Sequence, residues 1–259
     1  MVITSAQITA FVGEMLWPLF RIGALLMVAP VFGARMVPVR IRMGLGVAVT
    51  VLVLPLLPSP PPVDIYTLQF FMIVAQQILI GVMMGFALQL VVSAVVTGGQ
   101  IVAMQMGLGF AAMVDPQNGT HTPVVSQFYL IVVTLTYLSL GGHLLMFEVL
   151  VDSFKTMPIS AQGMGPDSFW KLVIWGNQIF SGAVGMALPA IASLLMVNFA
   201  FGIMTRSAPQ MNIFAIGFPL TLLMGFALIL ITLPNVVPYS TSLFNEAYHL
   251  IRDLTAGVE

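Results

Sequence analysis

Residues 98–123 read GGQIVAMQMGLGFAAMVDPQNGTHTP, and the rest of the chain is organised around them. Long apolar runs flank the stretch on both sides. It carries Gly98, Gly99, Gly107 and Gly109 ahead of a turn, Asp115-Pro116-Gln117-Asn118-Gly119, together with Met104, Met106, Phe110 and Met113, and it has no Lys or Arg. Backbone this rich in glycine exposes amide groups that lipid cannot satisfy, so such a stretch is buried in protein or lines a cavity. Methionine is unbranched and polarisable, and it repacks when an opening changes shape. Two readings stand: a deformable plug inside a membrane pore, or a greasy interhelical loop.

Composition sets the class. Of 259 residues, 59% are hydrophobic and 7% are charged, where a soluble domain carries about 25% charged residues. The apolar runs are of helix-spanning length and are broken by prolines, which predicts an all-α integral membrane protein of kinked helices and helical hairpins. With 8 basic and 9 acidic residues, there is no basic patch for nucleic acid and no acidic tail. The absence of cysteine excludes disulfides, thiolate catalysis and zinc-thiolate or iron-sulfur sites. The first 21 residues hold no basic n-region before Arg21 and place Glu14 inside an apolar run, so no cleavable signal peptide is expected.

A first apolar segment, about 8–32, contains Glu14 and Arg21, two helical turns apart, with Pro18 between them. Ionisable residues within a span face a bundle interior or water and are often paired, so a structural or pairing role competes with a proton relay. A basic loop with Arg35, Arg40 and Arg42 follows, then a short run over 45–57 that ends in a stiff PSPPP linker. The third segment, about 68–97, exceeds what a bilayer needs. In it, Gly81 and Gly85 form a small-xxx-small pair for close helix packing. Gln89, Ser93, Thr97 and Gln100 are spaced four, four and three residues apart, which puts them on one helical face. Such a stripe either bonds neighbouring helices or lines a wet cavity.

A fourth segment over 124–147 leads into a hydrophilic linker from Glu148 to Asp167, and a hairpin of segments over 169–204 and 211–233 follows. The remainder, from Pro234, is expected to form a short amphipathic interfacial helix. With six spans, the loops holding Arg35, Arg40, Arg42 and Arg206 fall on one side, which the distribution of basic residues makes cytoplasmic.

Other motifs lead nowhere. Gly107-Leu-Gly-Phe-Ala-Ala lacks the strand and acidic ribose ligand of a dinucleotide site. His121, His143 and His249 lack metal-ligand spacing, and Ser181 lacks a nucleophile elbow and a base. Asp115 heads its turn, where a carboxylate bonds backbone amides; the alternative is a charge that influences gating. No catalytic residue, cofactor or metal ligand is assigned.

Taken together, WPLFRIGALLMVAPVFG (17–33), VPVRIRMGLG (37–46), QQILIGVMMGFALQ (76–89), GGQIVAMQMGLGFAAMVDP (98–116), GGHLLMFEVLVDSF (141–154) and the block over 187–221 resemble the FliR family. This is the R subunit of the flagellar type III export gate, with its virulence-secretion relatives, and the resemblance covers nearly the whole chain. It implies a non-enzymatic inner-membrane subunit of the flagellar basal body. Such a subunit assembles with the P and Q subunits (FliP, FliQ) and FlhB into a hetero-oligomeric pore for unfolded flagellar proteins. It also implies a P-like portion over 1–150, a linker over 151–168 and a Q-like hairpin with its C-terminal segment over 169–259. The family's plug loop maps onto residues 104–123, with Met104, Met106, Gly107, Gly109, Phe110, Met113, Asp115 and Pro116 at the gate. The runner-up is a small-solute secondary transporter, which Glu14, Arg21 and the interrupted helices would serve; an intramembrane enzyme has no nucleophile-base pair.

Overall fold

The computed structural model describes residues 5–58, 67–109, 124–160, 163–207 and 213–256, and side chains in all of these except 5–13 and 213–216. Among the described residues every regular element is helical. In chain order these are α1 (Ser5–Val28), α2 (Val39–Val53) with a 3-10 turn (Leu54–Leu56), α3 (Leu68–Gln105), α4 (Val124–Ser139), α5 (Gly142–Thr156), α6 (Pro166–Trp175), α7 (Gln178–Ser207) and α8 (Ile213–Thr255). Four helical stretches are long and apolar enough to cross a membrane, or five if α4 and α5 count as one broken span. The protein is an all-α, multi-pass membrane protein.

Several boundaries differ from the sequence expectation, each for a local reason. The basic loop shortens, because α2 starts directly after Pro38 and Arg40 and Arg42 become helical. With its 3-10 turn, α2 gives an 18-residue stretch, Val39–Leu56, apolar enough to span despite Arg40 and Arg42, so the second segment is long enough to span after all. α3 does not stop at Thr97. Gly98 and Gly99 stay helical because their bare faces take a close neighbour: a Cβ on Gly98 would sit 3.1 Å from the Ala183 oxygen, and one on Gly99 would sit 2.8 Å from the Tyr129 ring. The fourth segment breaks in two at Gly141, whose φ of +71° suits glycine and interrupts a helix. Helix then continues to Thr156, so the charged residues expected to open a linker lie on a helix instead. Lys155 and Asp152 pair across its surface at 3.0 Å.

The largest revision is α8, 43 residues long with Pro219, Pro234 and Pro238 inside it. The segment expected to be a separate interfacial helix is its continuation. Leu243, Phe244, Ala247, Tyr248, Ile251 and Leu254 are all buried at helical spacing, and this packing holds the helix together beyond the backbone bonds that the prolines remove.

The chain forms two compact units. One comprises α1, α2, α3 to Leu90, α5, α6 and the end of α8 from Phe244. Its core includes Trp17, Ile22, Leu25, Ile80, Leu88 and Phe154. As the small-xxx-small pattern predicts, α1 and α3 approach closely: a Cβ on Gly81 would lie 2.9 Å from Ala24 Cβ, and one on Gly85 would lie 3.0 Å from the Leu25 oxygen. The Tyr248 hydroxyl donates to the Gly142 carbonyl at 2.6 Å, which ties the end of α8 to the start of α5. The other unit comprises α3 from Val91, α4, α7 and α8 to Leu243. There Tyr129 lies buried, and Thr232 Oγ1 donates to the Leu228 carbonyl of its own helix at 2.8 Å.

Candidate functional site

The exposed residues of α3 trace one face along its length. Phe71, Met72, Ile78, Leu79 and Phe86 are exposed, and Gln89, Ser93, Thr97 and Gln100 continue the row, each half-buried. At 3.6 residues per turn these four polar positions fall within an arc of about 80°. Met104, 68% exposed, lies on the same face one turn after Gln100. The face is therefore apolar, then polar, then capped by a methionine. None of the four polar side chains has a hydrogen-bond partner among the described residues. Among the described residues the stripe does not bond one helix to another.

Met106, two residues on, does the opposite. It is fully buried, seated where Gly225 has no side chain, since a Cβ on Gly225 would lie 2.6 Å from Met106 Cε. The two methionines expected in the plug thus differ in placement: Met106 is buried at the end of α3 and Met104 is exposed. Gly107 ends the helix. Its φ is +84°, its N–H donates to the Met104 oxygen, and the Leu108 N–H donates to the Ala103 oxygen, both at 3.0 Å. This pair of bonds around a left-handed glycine is a Schellman cap, and Phe218 packs 3.3 Å from where a Cβ on Gly107 would stand. The chain leaves α3 in a defined direction at Gly107. Gly107→Ala should cost about 1–2 kcal/mol through its left-handed backbone. The measurement is hydrogen exchange, with faster exchange expected at the Gly107 and Leu108 amides.

Gly109 is half-buried. Phe110, Met113, Asp115 and Pro116 lie outside the described residues.

The two charges in α1 are not a pair. Glu14 is exposed and has no ionic partner among the described residues. Arg21 is completely buried and is held by neutral acceptors. Its Nε donates to Gln77 Oε1 at 2.8 Å, its Nη1 to the Ser153 carbonyl at 2.9 Å and Ser153 Oγ at 3.1 Å, and its Nη2 to the Met157 carbonyl at 2.9 Å. The guanidinium also stacks 4.1 Å above the Phe154 ring. Ser153 and Met157 mark the C-terminus of α5, where orphan carbonyls and the negative end of the helix dipole favour a cation. No sequence motif named these partners. The available signal was Gln77 inside an apolar helix.

Of the basic residues, Arg35, Arg40 and Arg206 are exposed. Arg42 turns inward and donates to the Ala34 carbonyl and Met27 Sδ, which pins the turn between α1 and α2. That turn is strained: Val31, β-branched, has φ +70°, and the Phe32 N–H bonds the Pro30 oxygen across it at 2.8 Å.

Residues 12–247 match the family described as bacterial export proteins, family 1. The chain is 38% identical over 254 residues to the flagellar biosynthetic protein FliR of Escherichia coli (strain K12), covering 97% of this chain and 96% of that protein. It is 39% identical over 244 residues to the protein of the same name from Pectobacterium carotovorum subsp. carotovorum, covering 94% and 93%. With the one from Bacillus subtilis (strain 168) it shares 28% over 241 residues, covering 92% and 93%. An apolar all-helical chain matched from end to end in this way belongs to the bacterial export proteins, family 1, the family of the flagellar protein FliR.

Proposed function

We propose that this chain is a non-enzymatic, pore-forming subunit of the bacterial flagellar type III export gate. It sits in the inner membrane at the flagellar basal body, assembled with FliP, FliQ and FlhB. Unfolded flagellar proteins pass through the pore, and the stretch over 104–123 closes it. The observation that carries this reading is the outward face of α3, which runs from lipid-compatible side chains through a polar row to Met104 and the capped turn at Gly107. That turn directs the chain into residues 110–123, the Phe110, Met113, Asp115, Pro116 stretch. Under this reading the 1–150 portion is the P-like part, 151–168 a connection, and 169–259 the Q-like part. The transporter alternative loses its main support, because Arg21 is occupied by Gln77, Ser153 and Met157 and Glu14 does not pair with it.

The test is genetic and biochemical. A strain lacking the gene should secrete no flagellar filament or hook protein, and the wild-type gene should restore secretion. Normal secretion without this chain would rule the gate reading out.

A further inference from the structure

One short piece of α8 holds the point at which the chain leaves α3. Met106 is fully buried, and α8 meets it with Gly225, itself buried. A Cβ on Gly225 would overlap Met106 Cγ and lie 2.6 Å from its Cε and 2.8 Å from its Sδ, so no side chain fits at 225 while Met106 is seated there. Phe218, two turns earlier on α8, packs its ring 3.3 Å from where a Cβ on Gly107 would stand. All four residues belong to one compact unit. The chain is thus held by α8 at two consecutive residues, and at the second of them, Gly107 with its φ of +84°, it turns away from the helix.

This piece of α8 is also built to bend. Pro219 follows Phe218 directly and removes a helix bond. Thr221 turns its hydroxyl back on its own helix and donates to the Gly217 carbonyl at 3.0 Å and the Phe218 carbonyl at 2.9 Å, an arrangement that bends helices. Bending there shifts Phe218 relative to Gly225, so the contacts on Met106 and Gly107 cannot both be kept. The residue in the seat is a methionine, whose unbranched thioether can leave a packed site and re-enter it without a fixed shape to restore.

We propose that Gly225 and Phe218 form a latch on α8 that sets the position of the plug: Met106 seated on Gly225 holds the pore closed, and bending of α8 at Pro219 unseats it. The proposal rests on the export-gate reading and names how that gate is held shut. Gly225 and Phe218 are positioning residues, since they act through Met106 and Gly107. A latch differs from a static packing contact in one respect, which is that it must open for export.

The experiment uses the full chain in its native complex. The chain has no cysteine, so Met106→Cys with Gly225→Cys puts the only two thiols into it. The sulfur introduced at 106 takes the place of Cγ, in bridging reach of one at 225. Oxidation should close the bridge and cut secretion of filament protein several-fold, dithiothreitol should restore it, and Met106→Cys alone should not respond to the oxidant. A bridge shown by mass spectrometry with secretion unchanged would overturn the latch, and failure of the bridge to form would overturn the seat. Secretion that survives deletion of the gene instead overturns the gate reading beneath both. A second variant, Gly225→Ala, adds one methyl where Met106 lies. The flexible methionine gives way before the helix does, so the complex should assemble and its ion conductance in planar bilayers should rise several-fold. Conductance equal to wild type, where deletion of 110–117 does cause a leak, contradicts the latch; conductance unchanged by either removes the plug on which the latch rests.

Discussion

Deleting residues 110–117 should make a sealed membrane conduct ions while leaving the gate assembled. The segment joins Phe110, Met113 and other apolar residues to the Asp115-Pro116 turn, directly after the helix that carries the polar row. An apolar constriction blocks ions by excluding water, and methionine and phenylalanine fill it without fixing its shape. The deletion is chosen to spare Gly107, whose capping bonds to α3 would otherwise be lost and blur the result. Planar-bilayer recordings of the complex should show discrete conductance steps that the intact complex lacks. Equal conductance before and after deletion, in a complex that still assembles, would remove the plug.

Arg21→Ala should be the most damaging single substitution in the unit that contains it. The guanidinium makes four hydrogen bonds in a fully buried position, and no carboxylate is among its partners. Its removal leaves Gln77 Oε1 and the Met157 carbonyl without that donor, each worth roughly 1–3 kcal/mol when buried. It also opens a cavity of side-chain size, so the total is about 4 kcal/mol or more. That is a large part of the 5–15 kcal/mol by which a typical protein is stable. Arg21→Lys should cost about half as much, because one ammonium cannot span Gln77, Ser153 and Met157 as the planar fork does. Thermal unfolding in detergent checks both, with the order wild type, Lys, Ala in falling midpoint. A midpoint unchanged by Arg21→Ala would show that the end of α5 is held by other contacts.

The sequence showed the class of fold and the face of α3, because both are periodic properties of side chains: apolar length, and polar residues at intervals of four and three. Gly81 and Gly85 were legible for the same reason. Element ends were harder. Gly98 and Gly99 read as flexible points, yet each is kept helical by what packs on it, Ala183 in one case and Tyr129 in the other, and a partner distant in sequence leaves no local mark. Pro234 reads as a break, but the buried stripe from Leu243 to Leu254 outweighs the bond it removes. Arg21 was visible as an anomaly, whereas its partners were not: Ser153 and Met157 accept through backbone carbonyls, which every residue carries. Met106 beside Met104 was read as plug, and only burial against Gly225 separates the two.

The most direct measurement is purification of the tagged full chain from its native cell in mild detergent, with mass spectrometry of what accompanies it. A gate subunit brings FliP and FliQ along in one stable particle, and that is the expected result. A monodisperse particle of this chain by itself, from cells that contain both partners, would contradict the account.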